Sequence, residues 1–191
     1  MGPELNQEAP LMNDQGGQHR QQALYWAKLV ELKVAASYVR RYRDHLGRWV
    51  TAIATLRAVA SSASIAVWAV WKQYPLLWGG IIAVSQVADA VKDVFPVNKK
   101  HKSTIELTVA LDRLFIDAQL EWESIFAERY TGDQILTRLH KLRRLQHEAE
   151  AHNLRGGLPL NAAFQVQAQR EADAFFENTY GVHYFGEGKN G

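Results

Sequence analysis

The chain has 191 residues, enough for one compact domain or for a small domain joined to a membrane segment, with no room for a second, enzymatic domain. Its 22 Lys and Arg against 20 Asp and Glu give a net charge of +2, too near neutral to indicate a nucleic-acid binder by itself. The absence of cysteine excludes disulfides, thiolate nucleophiles and every cysteine-containing zinc pattern.

Residues 1–19 are polar, carry Glu4, Glu8 and Asp14, and lack an apolar stretch behind a basic start, so they read as a mobile tail and not as a secretory signal. From about Arg20 to His45, Tyr25, Leu29, Leu32, Ala36 and Val39 fall at steps of three and four, the spacing of one apolar helix face. The spacing predicts a cytoplasmic amphipathic helix over 20–49, ending in a basic cluster of Arg40, Arg41, Arg43 and Arg48 beside Gly47 and Trp49.

The texture then changes. Residues 50–71 hold a single charge, Arg57, and as a helix would span roughly 33 Å, about the thickness of bilayer hydrocarbon. After Lys72, Gln73, Tyr74 and Pro75 comes a second, shorter apolar run with Asp89 near its end. Together, residues 50–95 predict a transmembrane helical hairpin. Basic residues gather where it begins and ends: Arg40, Arg41, Arg43 and Arg48 before it, Lys92, Lys99, Lys100 and Lys102 after it. The connecting turn has only Lys72, so the positive-inside bias places both termini in the cytoplasm. Trp49, Trp68, Trp71 and Trp78, four of the six tryptophans, flank the hairpin as interfacial aromatics do.

Within the hairpin, Ala60 and Ser64, Ser62 and Ala66, and Gly79 and Ala83 each stand four apart, a spacing that lets helix backbones approach closely in lipid. They could join the two helices of one hairpin or neighbouring subunits. Arg57, Ser61 and Ser64 step along one helix, and Gln86 and Asp89 along the other. Such a polar stripe lines a water path in a ring of hairpins, or else bonds within the monomer. The basic collar at the membrane edge suits anionic lipid headgroups.

Beyond Pro96, residues 96–181 read as cytoplasmic and helical. Ser103 and Glu106 form a capping-box pattern ahead of Leu107, Leu111, Leu114, Ala118, Trp122 and Ile125. Thr131, Gly132 and Gln134 mark a break and a second capping box before Ile135, Leu139, Leu142 and Leu145. A further break at Arg155, Gly156, Gly157 and Pro159 precedes a last helix from about Asn161, which Gly181 should stop. Residues 182–191 form a Gly-rich tail. The expected fold is all-α: a transmembrane hairpin with N- and C-terminal cytoplasmic helices, assembled as a ring-shaped homo-oligomer.

Catalytic patterns are sparse. His140, His147 and His152 have no zinc-protease spacing and read as solvated surface residues; no phosphate loop, dinucleotide fingerprint or nucleophile elbow occurs. No catalytic residue, cofactor or metal is therefore expected. Arg40 and His45 satisfy the R-x4-6-H pattern of HEPN ribonucleases, which gives an alternative as an RNA-cleaving accessory protein, although such a short pattern also arises by chance.

The order of a cytoplasmic helix, two short membrane helices, a basic exit and the long charged helix FPVNKKHKSTIELTVALDRLFIDAQLEWESIF resembles the SLATT family of bacterial two-transmembrane effectors, over about residues 20–150. The likeness is one of layout and rests on no invariant residue. It implies an antiphage effector that oligomerises in the bacterial inner membrane and permeabilises or depolarises it when triggered, causing growth arrest or death. It also implies a sensor or signalling protein as partner, with a nucleotide second messenger as one form of signal and no direct nucleic-acid binding. A pore-forming accessory of an RNA-targeting CRISPR system shares the same character. A hairpin that only tethers a partner, without conducting, is the remaining alternative.

Overall fold

A computed structural model describes the backbone of residues 9–66, 79–80, 83, 97–154 and 157–183. Four helices have bounds among the described residues, and no strand occurs there: α1 (Ala9–Ala66), α2 (Val97–Phe126), α3 (Gly132–Asn153) and α4 (Ala162–Tyr180). Among the described residues the chain is all-helical, as its periodicity predicts. It divides into two compact units, one of Met1–Arg41 with Glu106–Gly191 and one of Tyr42–Ile105. Helices α1 and α2 each contribute a segment to both.

In the first unit the core is built mostly from residues that the helical spacing marks, with Phe115 in addition, while Leu114, Trp122 and Leu145 of the marked stripes are half-buried. Tyr25, Leu29, Leu32, Ala36 and Val39 of α1 are all buried, against Leu107, Leu111, Phe115, Ala118 and Ile125 of α2 and Ile135, Leu139 and Leu142 of α3. Each large aliphatic or aromatic side chain removed from water this way contributes about 1.5–3 kcal/mol. Helix α4 adds Phe176 to this core, and its small Ala168 and Ala172 sit in a second cluster with Val34 and Tyr38 of α1. Trp26, one helical step off the apolar stripe, joins three helices: its ring centroid lies 4.9 Å from that of Trp122, 5.1 Å from Phe176 and 5.2 Å from Tyr180.

Helix ends follow local chemistry where a cap can form. Gln134 Oε1 accepts from the Thr131 N–H at 3.0 Å, satisfying a donor at the start of α3. Asn161 caps α4 by accepting from the Phe164 N–H at 3.2 Å. Gly181 ends α4 in the left-handed region at φ 68°, where a residue with a Cβ is strained. The preceding break is tied down by Tyr38, whose hydroxyl donates to the Pro159 carbonyl and accepts from the Asn161 N–H.

Two helix starts lie earlier than the sequence indicates. Helix α2 begins at Val97, so Ser103 and Glu106 stand inside it; Pro96 immediately precedes the first turn, and Thr104 Oγ1 donates back to the Lys100 carbonyl at 2.6 Å. Helix α1 takes in residues 9–19, the stretch whose composition reads as a tail. There Gln18 Nε2 donates to the Tyr130 carbonyl at 3.3 Å, and one turn on Gln22 Nε2 donates to the Ile125 carbonyl at 3.3 Å. Polar side chains that bond a neighbouring helix end carry no apolar periodicity, which is why this turn is invisible to hydrophobic pattern.

In the second unit, α1 runs through Gly47 without a break. A Cβ on Gly47 would meet His101 Nε2 at 3.2 Å, so the glycine allows α2 to come close at this level. No helix among the described residues is long and apolar enough to cross a membrane. Of the expected hairpin, residues 67–78, 81–82 and 84–95 lie outside the described residues, which takes in the end of the first run and most of the second.

Candidate functional site

The basic residues before the expected hairpin divide between two settings. In the first unit, Arg40 donates from Nη2 to Asp112 of α2 at 3.0 Å and from Nη1 to Glu171 of α4 at 3.3 Å. Arg41 donates to the other Glu171 oxygen at 3.1 Å and to Gln167 Oε1 at 3.1 Å. Glu171 thus bridges two consecutive guanidinium groups, and α4 is clamped to α1 through them. Lys33, two turns earlier on α1, lies with Nζ 4.0 Å from the Phe175 ring centroid and 4.8 Å from that of Phe115. Burial, reinforced by the charge of Arg40, holds its pKa below the ordinary lysine value.

This arrangement changes the role of two collar residues. Arg40 and Arg41 are about a third exposed and bond protein carboxylates and, from Arg41, an amide oxygen, so they tie helices of the first unit together. Sequence reasoning could not see this, because their partners stand 72 to 131 positions away. The same bonds bear on the R-x4-6-H pair. The Arg40 guanidinium is held by two carboxylates, and His45 Nε2 accepts a hydrogen bond from Trp49 Nε1 at 3.1 Å.

The second unit holds the rest of the described collar. Arg43, Asp44, Gly47, Arg48, Thr51, Ala52 and His101 line an open cleft of about 530 Å³ between α1 and α2. Arg43 Nη2 lies 2.7 Å from Asp44 Oδ1, whereas Arg48, Lys99, Lys100 and Lys102 are exposed. Because His101 lies against Gly47, the cationic turns of α1 around Arg43 and Arg48 and the cationic start of α2 stand at one level. Trp49 is 56% exposed at that level, and Thr51, Ala52, Ala54, Thr55 and Ala58, the first turns of the weakly polar run, are exposed as well. Lys92 lies outside the described residues.

Of the hairpin candidates, Arg57, Ser61 and Ser64 fall on the backbone of α1, while Gln86 and Asp89 lie outside the described residues. Gly79 and Ala83 have helical backbone and are exposed, and the space around a Cβ at Gly79 is open. On α3, His140, His147 and His152 are exposed. Among the described residues no group of three or more His, Asp or Glu is placed to hold a metal ion.

Among the described residues the protein is helical, and its second unit carries exposed cationic residues and an exposed tryptophan beside the start of a weakly polar run. Comparison with known protein families, curated proteins and solved structures finds no match.

Proposed function

We propose that this chain is a membrane effector that inserts residues 50–95 into a bilayer, assembles there with further copies, and permeabilises the membrane when triggered. The observation that carries the reading is the cationic level of the second unit. Exposed Arg48, Lys99, Lys100 and Lys102, with exposed Trp49, stand where the weakly polar run begins on α1. Lysine and arginine at this position attract anionic headgroups by about 1 kcal/mol each, and an amphipathic indole prefers the same depth. The sequence supports the remainder, with one charge between residues 50 and 71 and small residues four apart for close helix contact.

The layout shared with two-transmembrane antiphage effectors supports a role in arresting or killing the infected cell, in the bacterial inner membrane with both termini cytoplasmic. In this reading a sensor or signalling partner shifts the assembly from closed to conducting. The nuclease alternative draws no support from Arg40, whose donors are held by Asp112 and Glu171.

The test uses the full chain. It should remain in the membrane pellet after alkaline carbonate extraction and release dye from liposomes containing anionic lipid, with at least a several-fold loss for Arg48→Glu/Lys100→Glu. Recovery in the carbonate supernatant would overturn the reading. Retention without leakage, even when its trigger is supplied by infection of the expressing cells, would leave a tether in place of a pore.

A further inference from the structure

Helix α2 has two apolar faces, and the core uses one of them. Leu107, Leu111, Phe115, Ala118 and Ile125 turn inward. On the opposite side Val109, Ile116 and Leu120 are 47%, 56% and 58% exposed, with exposed Ala127 in line one residue past the helix end. The Ala127 N–H still donates to the Glu123 carbonyl at 3.1 Å, so the helical path extends to it. Arg113 and Glu123 complete the stripe; both are exposed, and neither is in an ion pair among the described residues. The six positions, 109, 113, 116, 120, 123 and 127, step by four and three in alternation, the seam spacing of a two-helix coil.

We propose that this face binds a second copy of the chain, with the two α2 helices antiparallel about a two-fold axis at Ala118. That register sets Ile116 opposite Leu120 of the second copy, and Val109 opposite its Ala127. It also sets Arg113 opposite the second copy's Glu123, and the symmetry repeats every pair. An isologous contact must be self-complementary, and here every apolar position meets an apolar one and each charge meets its opposite. The parallel alternative sets Arg113 against Arg113 and Glu123 against Glu123. Charge therefore selects the antiparallel pair. Three large apolar side chains per copy make a contact smaller than a standard interface, so the dimer forms reversibly with concentration. The pairing is independent of membrane insertion. It does turn the two α2 N-termini in opposite directions, so it competes with a side-by-side assembly of the same two copies.

The purified full chain, in mild detergent where it needs it, should show a concentration-dependent monomer–dimer equilibrium by sedimentation. Arg113→Glu and Glu123→Arg should each weaken dimerisation at least tenfold, and R113E/E123R together should restore it to within about threefold. The chain has no cysteine, so Ile116→Cys and Leu120→Cys report geometry directly. Mixed, these two variants should form the 116–120 disulfide faster than either forms a homodisulfide. Unchanged helicity by circular dichroism keeps a folding defect apart from a binding defect. A monomer at all concentrations, an unaffected R113E, a double reversal that fails to restore pairing, or preferred 116–116 cross-linking would each overturn the proposal.

Discussion

Tyr25 shows how one side chain joins packing to electrostatics. Its ring is fully buried, and its hydroxyl donates to Glu121 Oε2 at 2.9 Å, while Arg138 holds the other Glu121 oxygen at 3.1 Å. Burial, and then the charge of Glu121, raise the phenol's pKa above its ordinary value near 10. A raised pKa means that the folded state keeps a proton the unfolded chain releases, so this contribution is complete below about pH 10 and is lost as pH climbs beyond it. Tyr25→Phe should cost about 1 kcal/mol at neutral pH and flatten the alkaline decline, as read from urea unfolding at pH 8 and pH 11. Lys33 acts with the opposite sign. Its lowered pKa makes the unfolded chain the tighter proton binder, so stability rises as pH approaches the ordinary lysine value, and Lys33→Met should remove that rise. Glu171 bonds both Arg40 and Arg41, so Glu171→Gln should destabilise by about 1 kcal/mol at low salt, and by less in molar salt, where partly exposed pairs are screened.

At the level of elements, α4 is the helix whose docking depends most on small side chains. Ala168 and Ala172 are fully buried beside Val34 and Tyr38, so the helix approaches α1 at alanine distance. Ala172→Leu should cost about 1–3 kcal/mol by overpacking, measured as a lowered melting temperature, whereas the same change at exposed Ala174 should be nearly neutral. Helix identity was legible for the described residues from about Arg20 onward, though not for residues 9–19. The stripes from Tyr25 to Val39 and from Leu107 to Ile125 are core faces, and Gly181 stops α4 as its type and position indicate. Starts were less legible. Ser103 and Glu106 carry a capping pattern inside α2, because a capping box describes only local sequence, and nothing in it registers the helical turn already formed from Val97.

For the whole molecule, the expected dye release and the antiparallel pair compete. Leu120→Glu should weaken the pair, and if pairing holds copies back from a one-sided assembly, leakage from liposomes at equal protein should increase; an unchanged rate with a broken dimer would separate the two behaviours. The sequence by itself determined that the chain is helical, which residues form the main core, and where charge gives way to a weakly polar run, because all three follow from side-chain type and a 3.6-residue period. It could not assign Arg40 and Arg41, which look like members of one basic cluster with Arg43 and Arg48. Only the tertiary structure decided that division. It brings Asp112, Gln167 and Glu171, distant in the chain, against two guanidinium groups, and it leaves Arg48 exposed at the level of His101. The same holds for α2. Its second apolar face is written in the spacing, but whether a face is covered depends on which other helices reach it, and that is a property of packing alone.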